Sequence, residues 1–410
     1  MAPLEGWARV FTALRHRNFR LFFWGQLISL IGTWMDKAAE GWLIYQLTGS
    51  KLLLGVVTAA GTAPMLVFSF WGGSIADRMP KRSILVVTQS CAMILAFMEA
   101  FLVWSHLVQP WQIIVLGTLG GVVMAFDMPA RQSFVIEMTS REDLMNAISL
   151  NSTIVNGARL IGPSAAGIMI ASFGSTAPCF FVDGLSFMAV IASLLMMNPP
   201  RMIRAAHTGS TWEHAMGGLA CVRQNRRVFT ILSLFSVVGV FGWSYGVLMP
   251  SFAQDVLHVS AAGYGALMSS SGLGALCGAL TTAWIGHAMP RRTAVLGGVW
   301  LFSSMLILFS ITRIYWLALV ILAIGGFGMM VFFSTSNTLV QTSVPDDMRG
   351  RVMGVWALIF GGMMPIGSLE CGTLAHWIGT PATIGLGGAI CALAAFVTWL
   401  SIRRRPPSAT

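Results

Sequence analysis

The chain has 410 residues, of which 56 % are hydrophobic and 10 % charged, and its formal net charge is +10. A soluble domain usually carries about 25 % charged residues, so this chain cannot cover a water-facing surface and most of it must face lipid. The basic residues stand at the ends of apolar runs, which indicates a membrane protein and argues against a nucleic-acid partner.

Twelve apolar runs follow one another, each long enough to cross a bilayer as a helix. We number them as predicted spans 1 to 12, at residues 19–45, 52–76, 83–107, 111–131, 148–172, 177–197, 228–252, 262–286, 293–312, 315–337, 352–375 and 381–402. Span 1 is too long for a signal peptide and no small-residue cleavage site follows it, so we expect it to stay in the protein. The predicted fold class is an all-α membrane protein.

The chain repeats itself, which predicts two similar halves. The letters MPKRS at 79–83 return as MPRRT 210 residues later. The glycines at 162, 167 and 174 return 205 residues later, at 367, 372 and 379. Two six-span halves joined by a linker are typical of secondary transporters whose substrate site lies near the membrane midplane. The predicted domains are an N-terminal half at 1–197, a linker with a short surface helix at 198–227, and a C-terminal half at 228–410.

Basic residues orient the predicted spans. Twenty-one of the 25 lysines and arginines stand on the face that holds both termini and the linker, whereas the opposite face holds only Lys51 and Arg313. Cytoplasmic loops carry such an excess of basic residues. We therefore expect both termini in the cytoplasm of a bacterium and the protein in its inner membrane.

The loop between spans 2 and 3 reads GSIADRMPKR at 73–82. It resembles the signature G-x-L-A-D-R-x-G-R-R of the major facilitator superfamily, whose acidic residue pairs with basic groups in one conformation and releases them in another. The resemblance implies a cytoplasmic gate, with Asp127 and Arg131 at the end of span 4 included: Gly73, Asp77, Arg78, Lys81, Arg82, Asp127 and Arg131. Ordinary cytoplasmic charge would explain Lys81 and Arg82 but not Asp77. The second half has His287 and Ala288 at the Asp-Arg position, so the gate would belong to the first half.

Span 5 carries a second motif, formed by Gly157, Gly162, Pro163 and Gly167. It resembles the G-x-x-x-G-P-x-x-G-G motif of export-type members of the superfamily. Small residues let helices pack closely in lipid, and a proline introduces a kink. Close packing alone would account for the glycines, whereas the glycines together with Pro163 favour export.

Longer stretches, among them NFRLFFWGQLISLIGTWM, DMPARQSFVIEM, REDLMNAISLNS and NGARLIGPSAAG, resemble the bacterial enterobactin-exporter-like and macrolide-efflux-like branch of the superfamily. That branch includes siderophore exporters and drug pumps, so the resemblance implies a small-molecule substrate without specifying it. The arginine that many drug–proton antiporters carry within span 4 is missing here, which weakens a coupling mechanism that depends on it.

Ionisable residues within the spans are functional candidates, because a charged side chain at the bilayer centre costs at least ~2.5–3.5 kcal/mol. They are Asp36, Lys37, Glu40, Glu99, Arg159, Asp183 and Glu370. In the superfamily's fold, spans 3 and 6 lie outside the central path. The resemblance therefore implies outer-surface or structural positions for Glu99 and Asp183, and leaves Asp36, Glu40, Arg159 and Glu370 as candidates for substrate or proton coupling.

The first three of these ionisable residues stand close together in span 1. Asp36 and Glu40 are four residues apart and share a helix face. Lys37 either pairs with Glu40 and leaves Asp36 unpaired, or extends toward the membrane surface. The alternative interpretation is an ion pair that only eases insertion. Spans 7 and 10 are nearly free of charge and rich in aromatic and Met residues, which would suit amphiphilic or aromatic substrates.

The function we expect is export of small amphiphilic molecules by alternating access, coupled to protons, by a protein that acts as a monomer. No GxxxxGK[ST] loop occurs, so direct use of ATP is not expected. The scattered Cys residues predict no metal site, and no cofactor or enzymatic nucleophile–base set emerges. The alternatives are a lipid or lysophospholipid flippase of the same fold and a non-transporting membrane receptor.

Overall fold

The computed structural model describes residues 12–140, 142–198, 211–285 and 290–403, and these residues are all helical or in short connections. The helices are α1 Arg17–Thr48, α2 Lys51–Arg78, α3 Lys81–Trp104, α4 Pro110–Glu137, α5 Leu144–Phe173, α6 Ala177–Leu195, α7 Thr211–Gln224, α8 Arg226–Val256, α9 Ala261–Ile285, α10 Arg291–Ile311, α11 Tyr315–Thr342, α12 Asp346–Ile378 and α13 Thr380–Arg403. The chain termini, residues 199–210 of the predicted linker, and His287 and Ala288 lie outside the described residues.

Each of the twelve predicted spans coincides with one of these helices, and the differences are at their ends. Helix α12 begins at Asp346, six residues before the predicted start, because a polar turn continues the helix beyond the apolar run. Helix α4 begins with a capping box between Gln109 and Gln112 and with Pro110 in its first turn. Both features satisfy or remove backbone donors that a helix start leaves unpaired.

Among the described residues, eleven helices are long and apolar enough to cross a membrane. Helix α1, with 32 residues, has the length but is not among the eleven. Large aromatic side chains are exposed at the ends of several helices, for example Trp104, Trp316 and Trp377. Tryptophan is enriched at the two interfaces between membrane and water, so these positions suit a membrane protein.

The described chain divides into two compact units. Unit 1 contains residues 12–48, 60–198 and 260–269, and unit 2 contains 49–59, 211–259 and 270–403. The first residues of α2 therefore belong to unit 2, and the first residues of α9 belong to unit 1. The predicted boundary between halves at 198–227 does not anticipate this exchange of two short segments.

Unit 1 is held together by a phenylalanine-rich core and by small residues between helices. Phe19 and Phe22 of α1 are 1 % exposed, and the ring centroid of Phe22 lies 6.1 Å from that of Phe134 on α4. Gly25 of α1 packs on Ser193 of α6. Because lipid is as apolar as the side chains, such close packing, rather than the hydrophobic effect, stabilises helix pairs in membranes.

Helix α8 in unit 2 is irregular, which the sequence did not predict. Its hydrogen bonding changes to the wider π pattern at Val238–Gly242, tightens to a 3-10 pattern at Trp243–Leu248, and widens again at Phe252–Val256. Gly242 and Pro250 lie in or between these segments, and both residue types weaken a regular α-helix. Turns of π-helix inside transmembrane helices are frequent at functional sites.

Candidate functional site

The charged segment of α1 forms an ion pair and leaves one carboxylate oxygen without a partner. The Lys37 ammonium donates to Glu40 Oε2 at 2.7 Å and lies 3.9 Å from Asp36 Oδ2. Asp36 and Glu40 are only 8 % and 6 % exposed, whereas Lys37 is exposed. Among the described residues, none forms a hydrogen bond with Asp36 Oδ1. Of the two arrangements that the sequence allowed for Lys37, the structure contains the pair with Glu40.

Asp183 of α6 lies beside Asp36. Its Oδ1 accepts a hydrogen bond from Ser186 Oγ at 3.1 Å, and it packs against Gly32, one helical turn before Asp36 on α1. A Cβ atom at Gly32 would stand 2.5 Å from that oxygen, so only glycine leaves room for it. Asp183 is 3 % exposed, so of the two positions expected for it, outer-surface or structural, its buried packing against α1 agrees with the structural one.

Glu99 brings a third carboxyl group, from α3. Its side chain is half-buried and interacts electrostatically with Asp36, Glu40 and Asp183 and with Lys37. Phe97, two residues earlier, packs against Gly184 and fixes α3 against α6 at this level. Helices α1, α3 and α6 thus bring together Asp36, Glu99 and Asp183, which we call the carboxyl cluster. Sequence analysis singled out all three as buried charges but did not place them together.

Arg159 lies on the other side of α1 from the carboxyl cluster. Its guanidinium stands 5.7 Å from the ring centroid of Trp34, within the range of a cation–π interaction. Trp34 and Asp36 are two residues apart and so point to nearly opposite sides of the helix. Glu370 belongs to unit 2, is half-buried, and forms no ion pair with any described residue. Within unit 1, the predicted coupling residues Asp36 and Arg159 thus lie on different sides of α1.

The predicted gate residues separate into an exposed group and a buried one. Asp77 and Arg78 are exposed at the end of α2, and nothing packs where a side chain would project from Gly73. Lys81, only 9 % exposed, forms an ion pair with Glu137, and Arg82 donates to the Leu195 carbonyl at 2.7 Å. Within the described residues, Asp77 forms no ion pair.

The buried group centres on Asp127, which is 1 % exposed. Its carboxylate forms an ion pair with Arg131 and accepts hydrogen bonds from Thr88 Oγ1 and Gln89 Nε2, each at 2.8 Å. Arg131 also donates to Gln26 Oε1 at 2.9 Å. The network ties α1, α3 and α4 together at one end of unit 1. Sequence analysis missed its three polar partners, which carry no charge and match no motif.

The residues of the glycine motif in α5 have different surroundings in the structure. A Cβ at Gly157 would meet no atom within 4 Å, whereas one at Gly162 would stand 2.8 Å from the backbone of α1. Gly167 packs on the segment 261–265 of unit 1, and Pro163 lies inside the helix. Two of the three glycines thus have a packing role, and the third has none in the described residues.

Unit 2 holds a cluster of aromatic side chains next to the irregular part of α8. Its members come from α8, α11 and α12 and are Phe235, Trp243, Phe333, Trp356 and Phe360. The rings of Phe235 and Trp356 are stacked with centroids 4.0 Å apart, and both are buried. Trp243, Phe333 and Phe360 are only half-buried. Trp243 and Phe333 belong to spans 7 and 10, which the sequence showed to be rich in aromatic residues, whereas the α12 residues were not singled out.

Comparison with known proteins decides the family. The family model described as transmembrane secretion effector, of the major facilitator superfamily, matches residues 8–408. The chain belongs to this family. Members of the transmembrane secretion effector family are transporters, not enzymes, and the chain is accordingly a multi-pass protein of the bacterial inner membrane.

Curated relatives of the chain match along most of their length. The staphyloferrin A transporter of Staphylococcus aureus is 25 % identical, with 90 % of this chain and 92 % of the relative covered. The multidrug efflux pump Tap of Mycolicibacterium fortuitum is 27 % identical, over 88 % and 90 % of the two chains. The enterobactin exporter EntS of Citrobacter koseri is 26 % identical, over 86 % and 84 %.

Solved structures share the fold of this chain at low sequence identity. A bacterial homologue of the human lysosomal transporter Spinster, in its inward-facing and unoccupied conformation, matches with a TM-score of 0.75 and 14 % identity. The match covers 96 % of this chain and 99 % of the other. The nucleoside transporter NupG matches with a TM-score of 0.69 and 13 % identity. At such identities the likeness establishes the fold alone.

Proposed function

We propose that the protein exports small amphiphilic molecules of the drug or siderophore type across the inner membrane, in exchange for protons and by alternating access. The observation that carries the coupling is Asp36, a carboxylate 8 % exposed whose Oδ1 has no hydrogen-bond partner among the described residues. Its one basic neighbour, Lys37, lies 3.9 Å away and is bound more closely to Glu40, so this buried carboxyl can take up and release a proton. The names of the relatives, two siderophore transporters and a multidrug pump, support the substrate class.

The proposal includes the arrangement predicted from the sequence. Twelve transmembrane helices form two six-helix halves, at 1–197 and 228–410, with both termini in the cytoplasm, and the protein works as a monomer. The length of α1, with 32 residues, supports its assignment as a twelfth span beside the eleven apolar helices. Its charged residues are then the coupling segment, which accounts for the lower apolarity of that helix.

The expected substrate contacts are aromatic and cationic. Trp243, Phe333 and Phe360 offer half-buried rings in unit 2, on which planar apolar groups can stack. Arg159 and Trp34 offer a cation beside a ring in unit 1. Arginine is well suited to bind carboxylate or phenolate groups of a substrate.

The test is transport into inside-out membrane vesicles, whose lumen corresponds to the cell exterior, with ethidium, a macrolide and a catecholate siderophore as probes, with and without a pH gradient. We expect export of at least one probe by the wild type to require the gradient, and Asp36→Asn to abolish this requirement or the export. Arg159→Ala should weaken transport of the catecholate siderophore most, because it removes the cation that would bind phenolate groups.

Asp346→Asn is the matched control, because this carboxylate is exposed near the start of α12 and pairs only with Arg349 among the described residues. It should leave gradient-driven export unchanged. Gradient-driven export by Asp36→Asn at the wild-type rate would contradict the proposal. Export by the wild type that ignores the gradient would favour a flippase or a uniporter.

The aromatic contacts predict a difference between two tryptophans. Trp243→Ala should weaken export of an aromatic probe such as ethidium, because each ring–ring contact contributes about 0.5–1.5 kcal/mol beyond its buried area. Trp316→Ala is the control, since this ring is 74 % exposed at the first turn of α11. The measurement is the probe concentration at half-maximal export. Equal effects of the two substitutions would show that the aromatic cluster does not contact the probe.

A further inference from the structure

The carboxyl cluster of unit 1 contains two members that the proposed coupling through Asp36 does not use. Asp183 is 3 % exposed and accepts from Ser186, and Glu99 is half-buried on the neighbouring helix α3. Glu99 interacts with both aspartates, and Asp36 with Asp183. Three carboxyl groups from three helices thus occupy one small region inside a six-helix unit.

The charges near this cluster do not balance if every carboxyl is ionised. The basic group that acts on it from α1 is Lys37, and its ammonium is already bound to Glu40 at 2.7 Å. Like charges at short range, away from water, disfavour ionisation, and carboxylates that share a site therefore hold protons in common. An uncompensated charge within the membrane costs several kcal/mol, so protonation is the less costly way to neutralise the cluster.

The unpaired oxygen of Asp36 also indicates that the cluster binds a proton. Asp36 is more than nine-tenths buried, its Oδ1 has no hydrogen-bond partner among the described residues, and its carboxyl group interacts with those of Glu99 and Asp183. A buried acceptor without a donor is rare in proteins and calls for an explanation. A proton carried on Asp36, or donated to it by a neighbouring carboxyl, supplies the missing hydrogen bond.

We propose that Asp36, Glu99 and Asp183 bind protons as one shared cluster inside unit 1, and that this cluster, rather than Asp36 alone, is the proton-binding site of the exporter. The role of the cluster in transport rests on the proposed function, whereas its binding of protons does not. Glu99 and Asp183 are then proton-binding residues, and Ser186 is a positioning residue that orients Asp183.

Only a few other titratable or charged side chains of the described residues face the carboxyl cluster and could affect its protonation. From α1 these are Lys37 and Glu40, and from α6 it is Cys179, whose thiol interacts with Asp36. Tyr264, in the α9 segment of unit 1, faces Glu40 rather than the cluster.

The other helices packed on α1 bring their charges elsewhere. From α5, Arg159 lies on the opposite side of α1, beside Trp34. From α4, Asp127 and Arg131 meet α1 at Gln26, roughly 15 Å along the helix from Asp36 at 1.5 Å per residue. None of these groups supplies a second cation to the cluster.

A bound metal cation is the alternative neutralising partner. Within the described part of the chain, no group of three or more His, Cys, Asp or Glu side chains converges as metal ligands do. A proton needs only one or two oxygens, whereas Na⁺ and divalent ions take several oxygen ligands around them at once. The described residues therefore suit a proton better than a metal cation.

Infrared spectroscopy of the purified full-length protein in lipid nanodiscs tests the inference without a substrate. Protonated carboxyl groups have a carbonyl stretch that is separate from that of carboxylates, and its intensity is followed as the pH is raised. We expect a protonated-carboxyl signal in the wild type that Asp36→Asn, Glu99→Gln and Asp183→Asn each reduce, and whose titration midpoint each substitution shifts for the carboxyls that remain. Asp346→Asn, on the exposed surface, should leave this signal unchanged.

Asp183→Glu retains a carboxyl group at this position. Comparison with Asp183→Asn therefore distinguishes a loss of proton binding from a loss of folded protein. We expect this variant to retain a titrating signal where Asp183→Asn loses part of it, with both proteins monodisperse. The inference of a shared cluster would be overturned if, in all three neutral variants, the titration midpoints of the remaining carboxyls stayed as in the wild type. The same signal shifted by Na⁺ at constant pH would overturn the assignment to protons.

Vesicle export separates this inference from the proposed function. If the wild type does not export ethidium, a macrolide or a catecholate siderophore in a pH gradient but the infrared titration behaves as expected, the proposed function fails and the proton cluster stands. If gradient-driven export of a probe persists at the wild-type rate in Glu99→Gln and Asp183→Asn, the cluster is not the coupling site even though export is real.

Discussion

Replacing Asp127 by alanine is expected to lower the free energy of unfolding by about 3–5 kcal/mol, because removal of one member of a buried ion pair leaves the other charge buried and unpaired. Asp127 is 1 % exposed, and Arg131 would retain only Gln26 among the partners that the structure gives its terminal nitrogens. Thr88 and Gln89 would lose their acceptor at the same time. The measurement is thermal or denaturant unfolding of the purified protein in detergent.

Asp346→Ala is the matched control, since Asp346 also pairs with an arginine in the same helix, Arg349, but with 87 % of its side chain exposed. Exposed pairs contribute about 0–1 kcal/mol, so this variant should unfold nearly as the wild type does. The double variant Asp127→Ala/Arg131→Met should recover part of the loss, because it removes the unpaired charge. Equal small losses for Asp127→Ala and Asp346→Ala would mean that the buried network does not stabilise unit 1.

The positions of the helices could be predicted because lipid imposes one length and one polarity on every span. The apolar runs place all twelve long helices to within a few residues, and where they fail, as at Asp346 of α12, a polar turn extends the helix beyond the lipid. The irregular hydrogen bonding of α8 was not predictable in this way. An apolar run reports where a segment can lie, not whether its backbone bonds span four residues or five.

Prediction of the candidate site from the sequence has a similar limit. The four-residue spacing of Asp36 and Glu40 and the i, i+4 pair of Asp127 and Arg131 can be inferred from helix geometry alone. The meeting of Asp36 with Glu99 and Asp183 cannot, because depth in the membrane does not reveal the direction of a side chain. The superfamily's plan places spans 3 and 6 outside the central path, yet their inner faces pack within unit 1 and carry these carboxyls to α1.

The α5 glycines give a further prediction, in which two similar substitutions have opposite signs. A Cβ at Gly162 would stand 2.8 Å from Ile31 O and Met35 N, and backbone atoms cannot move aside as the end of a flexible side chain can. Gly162→Ala should therefore destabilise unit 1 by about 1–3 kcal/mol through overpacking. Gly157→Ala meets no atom within 4 Å and should instead stabilise the helix by about 0.5–1 kcal/mol, since alanine is the better helix former.

The same pair of variants connects packing with coupling. Gly162 contacts α1 at Trp34 and Met35, immediately before Asp36, so a methyl group there displaces the segment that carries the carboxyl cluster and the partner of Arg159. Gly162→Ala should reduce gradient-driven export in vesicles and shift the infrared titration of the cluster, whereas Gly157→Ala should change neither. If Gly162→Ala lowers stability but leaves the titration unchanged, α5 supports α1 without setting the position of Asp36. If both variants behave alike, the close approach of α5 to α1 does not constrain the site.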